Sequence, residues 1–591
     1  MSRAKSPKQP RITVRESVLQ ILDAIAILAI WLLSNAMAKS GGLRRGYELM
    51  PWPDGLEYAA SAVNLANGRG AVLHFGGYTY PSRYTGGYPL ILKYVTFTGV
   101  PPFFISMVLG GASIIGIFLL VRSLLGHAAG VTAALLLAFS PVFITYSSLA
   151  MSDVPTLSVT IYAAGMLVAA ASGGALESNW LRIWRWLVFG LFAGFSTIIR
   201  PTNAAILVGL ALCVLMVPLQ PRDFSSLLKS AIAIAIGFAI PVAWQLHQNS
   251  INLGSAFASG YAWWVPEVYG AGGKTFSAAY LFGPTMPRNP HGNVLVYLTT
   301  LLGLDGMLGD RGNPRYFLYP FAAAAFAIVG FVSILRARER SAARRLLWFG
   351  LGYLAALTGL YCFYIFTDVA FILPAAFVLF IAAGAGAAIA NRWMREVLRK
   401  QNRSAGQLAA AAGVIVLDLL LFISLASEAA VRLSAQPAES VMVPALQSVD
   451  STLPHGAIVV SNISLQFLEL YLPGGNLNFV GLNSLDPGET FTDYHLHRLY
   501  EKRAAGWNGL VPPVVFDGDQ MSAAEADSLA AAIGAKTPVF LLLAAPESQQ
   551  YADVLKSELD QLQQKFAIQP LMQNEAIALY RLTAQESNLQ R

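Results

Sequence analysis

Long apolar runs separated by short polar connections constrain this chain more than any other feature. The 591 residues are 55% hydrophobic and only 12% charged, a composition too apolar for a soluble protein. An α-helix needs about 20 apolar residues to cross about 30 Å of hydrocarbon. Eleven runs approach that length, at about 18–38, 103–121, 128–146, 155–172, 184–199, 201–218, 229–246, 316–335, 346–366, 369–390 and 407–427. The sequence therefore predicts a polytopic α-helical membrane protein with about eleven transmembrane helices.

Basic residues occupy alternate connections between these runs. Clusters lie before the first run, at Arg122, at Arg182 and Arg185, near 222–229, at 336–345 and at 392–403. Lys and Arg mark cytoplasmic loops, so these six segments are predicted to be cytoplasmic. The formal charge of +7 is accounted for by this topology, and no nucleic-acid partner is predicted. The two cysteines lie inside apolar runs, which excludes a disulfide framework or a thiolate metal site.

An odd number of spans gives the chain a defined sidedness. We expect residues 1–17 in the cytoplasm, a membrane domain over 18–427, and outer loops at 39–102 and 247–315. Residues 428–591 then lie on the periplasmic side of the inner (cytoplasmic) membrane, whose lipids surround the helices. An alternative for the first run is a signal peptide ending at Ala36-Met37-Ala38, whose cleavage would leave this topology unchanged.

The segments predicted to lie outside differ in character. The stretch 56–67 has apolar residues at helical spacing and predicts a helix on the membrane surface. The second loop is rich in Trp and Tyr, as is typical of the headgroup level. After residue 428, strand-length apolar runs (457–461, 514–516, 538–544 and 576–582) alternate with amphipathic helical stretches (522–533 and 551–566). This tail is predicted to be an extracytoplasmic α/β domain large enough to form its own hydrophobic core.

Acids and arginines at the outer ends of helices are the strongest candidates for chemistry. Asp54 and Glu57 have the spacing of a capping box, which explains them as well as a functional role does. Asp153, in the sequence SDVP, can also cap the next helix. Arg200 precedes Pro201 at an outer helix end, and Arg83 precedes a Gly-Gly turn. An arginine so placed can bind a phosphate by two parallel hydrogen bonds. Two carboxylates and two guanidinium groups on one side suit a reaction with a phosphate leaving group.

This ordered set resembles the GT-C superfamily of membrane glycosyltransferases, which includes protein O-mannosyltransferases, aminoarabinose transferases and arabinosyltransferases. The resemblance covers residues 15–390 and is carried by four motifs: the first-loop acid, RxxGxxP from Arg83, SxxxxSDxP around Asp153, and Arg200-Pro201. It implies transfer of a sugar from a polyprenyl-phosphate donor to a lipid, glycan or protein acceptor outside the membrane, usually with inversion. No nucleotide sugar is implied, in agreement with the absence of a Rossmann or P-loop motif.

The resemblance also assigns roles to residues. Asp54 would be the general base, Asp153 the second acid, and Arg83 and Arg200 ligands of the donor phosphate, with Glu57 a further catalytic candidate. Relatives carry adjacent Asp-Glu where Gly55 follows Asp54 here, so no metal ligands are assigned and a divalent cation is left open. Relatives also carry an arginine where 367–374 reads TDVAFILP.

Other interpretations compete with this one. A secondary transporter or lipid flippase with a periplasmic receptor domain is the alternative from another class, and an assembly protein with a membrane anchor is a third. Among enzymes, an O-antigen-ligase-like transferase would use a lipid diphosphate. His495 and His497 beside Asp493 could bind a metal, but a solvated polar face is the preferred explanation of these residues. Asp23 and Asp418 lie inside apolar runs, where an acid indicates function or a bond to a neighbouring helix.

Overall fold

The computed structural model describes most of the chain. It does not describe residues 1–20, 24, 31, 34–53, 76–77, 97, 99–101, 172–177, 218–223, 265–268, 271–272, 286–289, 305–317, 338–340, 401–403, 434–441, 464–467, 469, 473–476, 483–522, 545–548 and 586–591.

Helices dominate the described residues. In chain order they are α1 (Ile21–Ile30), α2 (Asp54–Ala66), α3 (Gly87–Leu92), α4 (Pro102–Leu125), α5 (His127–Ala138), α6 (Pro141–Ser147), α7 (Asp153–Ala171), α8 (Asn179–Ile199), α9 (Ile206–Met216), α10 (Phe224–Leu253), α11 (Gly260–Trp264), α12 (Asn293–Leu301), α13 (Phe321–Arg336), α14 (Ser341–Cys362), α15 (Leu373–Arg399), α16 (Ala405–Leu433), α17 (Met442–Asp450), α18 (Ala523–Gly534) and α19 (Gln549–Lys565). Short 3-10 turns cover Pro201–Ala205, Ala278–Leu281 and Val369–Ile372.

Many of these helices can cross a membrane. Seven described helices are long and apolar enough, or eight if the bent pair α5 and α6 forms one span. Three shorter apolar helices cover Ile21–Ile30, Pro201–Met216 and Phe321–Arg336. Each of the eleven predicted runs therefore contains a helix. The predicted polytopic helical fold is confirmed, and the number of helices that span the bilayer stays a prediction.

The run 128–146, predicted as one helix, is broken into two. The chain also breaks between the predicted runs 184–199 and 201–218. The run 128–146 forms α5 and α6, bent by 64°, because Pro141 cannot continue the hydrogen-bond ladder of α5. The Ser140 hydroxyl at this corner donates to the carbonyl of Leu318 at 2.6 Å. Farther along, α8 ends at Ile199, Arg200 is extended, and the chain resumes as a 3-10 turn before α9.

The long helix α15 lies at the centre of the bundle. In its most apolar stretch 94% of the residues are buried, against 11% for α16 at the edge. Gly330 of α13 and Gly386 of α15 let these two helices touch: a Cβ on Gly386 would lie 1.8 Å from the carbonyl oxygen of Phe326. Small residues at such crossings are the usual means of close packing between membrane helices.

The tail contains the predicted sheet. Its five described strands are β3 (Ile458–Ser461), β4 (Asn478–Gly481), β5 (Val539–Ala544), β6 (Phe566–Gln573) and β7 (Ile577–Ala584). They have the order β4-β3-β5-β7-β6, with β3 parallel to both β4 and β5, and β7 antiparallel to β5 and β6. A separate hairpin of β1 (Val72–Phe75) and β2 (Tyr78–Pro81) lies between α2 and α3 in the chain. The sequence predicted β3, β5, β7, α18 and α19, and missed β4 and β6. The predicted strand 514–516 lies outside the described residues.

Helix α2 is buried on two faces. Leu56 and Ala59 belong to one apolar cluster with Phe540 of the tail sheet, while Tyr58 packs in a second cluster with Tyr88 near the bundle. The predicted helix is present, but it lies between the bundle and the tail and is not exposed on one side as a surface helix would be. The tail therefore sits at the same end of the bundle as the first outer loop.

Candidate active site

Asp54 begins α2 and meets the loop that follows β2. Arg83 Nη2 donates to Asp54 Oδ1 at 3.2 Å, and the Tyr84 hydroxyl donates to the same oxygen. The Asp54 side chain is 32% exposed. Among the described residues, none donates to Oδ2. One carboxylate oxygen is thus anchored and the other can accept a proton from solvent or from a substrate.

Glu57, one turn later, is enclosed completely. Its Oε1 accepts hydrogen bonds from Ser82 Oγ at 2.8 Å and from the backbone N–H of Arg83, and Arg83 Nε lies 3.8 Å from Oε2. Burial raises the pKa of Glu57 to about 7, although Arg83 and the bonds from Ser82 and Arg83 act in the opposite direction. Of the two interpretations of these acids, the capping box does not hold: their carboxylates bond to residues 82–84 and not to the described backbone of α2.

The Gly86-Gly87 turn presses this loop onto the end of α8. A Cβ on Gly87 would lie 2.5 Å from the carbonyl carbon and oxygen of Ile198. Beside it, Thr85 Oγ1 donates to the carbonyl of Ile199 at 3.1 Å. The turn therefore brings the loop of Arg83 against the end of α8, which Arg200 follows.

Asp153 and Arg200 form the second pair. Asp153 begins α7, where the helix dipole favours a negative charge, and Arg200 Nη1 donates to its Oδ1. The Asp153 side chain is only 2% exposed and that of Arg200 is 16% exposed. The Arg200 guanidinium also lies 5.1 Å from the ring centroid of Phe371. Aromatic packing and an acid therefore hold this arginine from two sides.

Tyr58 joins the two pairs. Its hydroxyl donates to Ser152 Oγ at 3.2 Å, next to Asp153, and its ring centroid lies 4.6 Å from that of Tyr84. Burial raises the pKa of Tyr58, and the carboxylates of Asp54 and Asp153 raise it further while Arg200 lowers it. The structure thus brings the five predicted site residues into one cluster at one end of the bundle.

Several residues of this cluster were not predicted from the sequence. Tyr84, whose hydroxyl donates to Asp54, directly follows Arg83, but no motif or spacing in the sequence pointed to it. Asp368 caps the 3-10 turn through a bond from the Ala370 N–H at 2.8 Å, and the Tyr146 hydroxyl donates to its other oxygen at 2.6 Å. This acid stands in the segment that was singled out only for its missing arginine. The same turn carries Phe371, which lies against Arg200.

The two acids within apolar runs have partners elsewhere. Asp23 accepts from Arg122 Nε at 2.6 Å and lies against His127. Asp418 accepts from Asn391 Nδ2 of α15 at 3.2 Å, as expected of an acid bonded to a neighbouring helix.

The described part of the chain shows no metal site. No three His, Cys, Asp or Glu side chains within it come together to hold a metal ion. Asp493, His495 and His497 lie outside the described residues. The described cluster therefore offers a divalent cation no ligand set of this kind.

Known proteins resemble this chain in part of its sequence and in its fold. The family profile of the dolichyl-phosphate-mannose-protein mannosyltransferases matches residues 89–245. The solved structure of ArnT from Cupriavidus metallidurans bound to undecaprenyl phosphate is 14% identical, with a TM-score of 0.56 over 96% of this chain and 98% of that one. The oligosaccharyltransferase of Archaeoglobus fulgidus in its apo form is 11% identical, with a TM-score of 0.54 over 95% of this chain and 74% of that one. Both are GT-C glycosyltransferases.

The chain has the GT-C fold. The likeness to ArnT extends beyond residues 15–390, where the motifs lie, and takes in the tail, since it covers 96% of the chain. No curated protein matches the sequence. These likenesses show the fold, and a fold does not by itself determine the chemistry.

Proposed function

We propose that this protein transfers a sugar from a polyprenyl-phosphate donor to an acceptor on the outer side of the cytoplasmic membrane, with inversion and with Asp54 as the general base. The ArnT structure to which it is similar contains undecaprenyl phosphate, and the matching family is described as using dolichyl-phosphate-mannose. Both descriptions name a polyprenyl-phosphate lipid. The sugar, and the choice between a lipid, glycan or protein acceptor, stay open in this proposal.

The observation that carries the proposal is the pairing of each acid with an arginine at one end of the bundle. Asp54 bonds to Arg83, and Asp153 bonds to Arg200. A guanidinium has five N–H donors in a fixed fork, so Arg200 can bond to a phosphate while it keeps its bond to Asp153. A transporter is expected to bind its substrate near the bilayer midplane, whereas these pairs stand at helix ends.

The reaction follows from these positions. Asp54 Oδ2 takes the proton of the acceptor hydroxyl while the hydroxyl oxygen attacks the anomeric carbon of the donor sugar. The bond between that carbon and the phosphate oxygen breaks, and its electron pair stays on the departing polyprenyl phosphate. Arg83 and Arg200 stabilise the charge that develops there. The remaining contribution is the positioning of donor and acceptor.

The other two acids have positioning roles in this proposal. Glu57 is fully enclosed and cannot touch a substrate, but it fixes the backbone of Arg83 and thereby the reach of its guanidinium. Asp153 is almost as enclosed and holds Arg200 against the end of α8. Asp54 is the acid of the three that combines a fixed oxygen with an accessible one.

Sidedness and domains belong to the same proposal. Residues 1–17 would be cytoplasmic and 428–591 periplasmic, with the tail selecting the acceptor. The contact between the tail sheet and α2 supports a tail on the same side as the site. Alkaline phosphatase fused after Arg591 should be active, and activity of a cytoplasmic reporter there instead would reverse the assignment.

The direct test of the function is a transfer assay. Purified protein in lipid nanodiscs is incubated with a panel of polyprenyl-phosphate sugars and with envelope extracts as acceptors, and free polyprenyl phosphate is measured. Mass spectrometry of envelope glycans and glycoproteins from a deletion strain then identifies the sugar that is lost. Release of a lipid diphosphate would indicate an O-antigen-ligase-like enzyme, and solute uptake by proteoliposomes without transfer would indicate a transporter.

A further inference from the structure

The second outer loop brings one tyrosine to the proposed phosphate ligands. Tyr261 lies on α11, and the Arg83 guanidinium carbon is 5.6 Å from its ring centroid. The ring of Tyr84 meets it edge-on with centroids 5.4 Å apart. Tyr261 also lies within interaction range of Arg200. It therefore stands next to one arginine of the site and in the neighbourhood of the other.

Three contacts fix Tyr261 in this place. The residue before it, Gly260, touches the loop of Arg83 so closely that a Cβ would lie 2.0 Å from the carbonyl oxygen of Ser82. The ring of Tyr269 lies 4.9 Å away on the other side. Trp263, two residues later, packs against the apolar cluster that α2 shares with the tail sheet. The position of the ring is thus set before any ligand binds, as a binding residue requires.

The hydroxyl of Tyr261 differs from those of its neighbours. The Tyr84 hydroxyl donates to Asp54, that of Tyr58 donates to Ser152, and that of Tyr361 is 2.8 Å from Thr202 Oγ1. No such partner of the Tyr261 hydroxyl occurs among the described residues. Burial raises the pKa of Tyr261 well above its usual range, with Arg83 acting in the opposite direction. The group therefore stays protonated at neutral pH and can donate a hydrogen bond.

We propose that Tyr261 is a substrate-contacting residue whose hydroxyl donates a hydrogen bond to the donor phosphate beside Arg83 and Arg200. This assignment rests on the proposed function. The donor is a phosphodiester with one negative charge, and the departing polyprenyl phosphate is a monoester that carries up to two. A hydrogen bond to that phosphate becomes stronger as the sugar leaves, so it accelerates the reaction as well as aiding binding.

The test compares Tyr261→Phe with the parent protein in nanodiscs. The ring and its packing are retained, and only the hydroxyl is lost. Loss of a hydrogen bond to a charged group should weaken the binding of undecaprenyl phosphate, measured by native mass spectrometry, on the order of 10- to 100-fold. We expect kcat with a polyprenyl-phosphate sugar to fall as well, at an unchanged melting temperature. Tyr280→Phe is the matched control, because that hydroxyl donates to the Lys274 carbonyl in an exposed part of the same loop.

The outcomes separate this assignment from the function on which it rests. A Tyr261→Phe protein that binds undecaprenyl phosphate and turns over donor like the parent would overturn the assignment alone. A parent protein that binds no polyprenyl phosphate and releases none from any donor would overturn the proposed function, and the assignment with it. A loss of binding equal to that of Tyr280→Phe would attribute the effect to the loop and contradict a role of the hydroxyl.

Discussion

The two acid–arginine pairs of the site are alike in composition and differ in surroundings. Asp54 is 32% exposed, and among the described residues its Oδ1 alone is hydrogen-bonded, by Arg83 and Tyr84. Asp153 is 2% exposed and is covered by Arg200 at the start of α7. Both arginines lie against aromatic rings. The two acids therefore differ in solvent access and not in chemical type. Asp54 can exchange a proton with a substrate, whereas Asp153 can only hold its arginine.

The largest effect is expected from Asp54→Asn. The amide oxygen still accepts the bonds from Arg83 and Tyr84, but the group no longer takes a proton. We expect turnover of a polyprenyl-phosphate sugar to fall on the order of 10²-fold or more, with the melting temperature nearly unchanged. Asp560→Asn, on an exposed face of α19, is the control. Full activity in a folded Asn variant would show that Asp54 only anchors Arg83 and would overturn its role as the base.

Asp153→Ala should act on stability more than any change at Asp54. Removing the acid leaves the Arg200 guanidinium enclosed and without its partner, and breaking a buried pair costs about 3–5 kcal/mol. The melting temperature in nanodiscs is the measurement, compared with Asp54→Ala, whose Arg83 is left beside Tyr84 and Glu57. Equal melting temperatures for the two Ala variants would remove the distinction between the pairs.

Replacing each arginine by lysine tests whether both pairs hold phosphate. Lysine keeps the charge but lacks the planar fork that makes two parallel bonds. We expect kcat/KM for the lipid donor to fall about tenfold or more in Arg83→Lys and in Arg200→Lys, as for loss of a charge-assisted hydrogen bond. If both variants turn over donor like the parent, neither arginine binds the phosphate through its fork.

The smallest effect is a pH dependence of stability at Glu57. Because burial raises its pKa to about 7 from an ordinary 4.5, the folded protein binds this proton more tightly than the unfolded chain does. The resulting stability is complete below the ordinary pKa and is lost as the pH rises through about 7. The melting temperature of the parent should therefore fall between pH 4.5 and 7.5 relative to that of Glu57→Gln. Parallel melting curves across this window would show that Glu57 is ionised at all of these pH values.

Much of this architecture could be predicted because the relevant signals are local. Each apolar run contains a helix, since length and composition alone decide whether a segment can cross a bilayer. Strands β3, β5 and β7 were visible as short apolar runs for a similar reason. Asp54, Arg83, Asp153 and Arg200 were selected by their positions at helix ends on one side, and the structure places them together.

The rest depends on contacts that no local pattern contains. The spacing of Asp54 and Glu57 is that of a capping box, yet both carboxylates bond to residues 82–84, which lie 25 to 30 positions away and are brought close by the β1–β2 hairpin. The stretch 56–67 was predicted to be a helix on the membrane surface. Its second face is instead covered by the tail sheet, which is separated from it by most of the chain and could not be foreseen from local spacing. The role of Tyr261 depends on Gly260, whose importance appears only where two loops meet.

The cluster that α2 shares with the tail sheet bears on how such enzymes can be engineered and how they diversify. Leu56 and Ala59, which contact the tail, flank Glu57 within the first turns of the helix that begins with Asp54. A tail grafted from another protein would present a different surface to those residues and would be expected to shift α2 and with it Asp54, the proposed base. Chimaeras that exchange α2 together with the tail should keep turnover, whereas exchange of residues 428–591 alone should not. The two segments that must be exchanged together, α2 and the tail, thus lie far apart in the sequence.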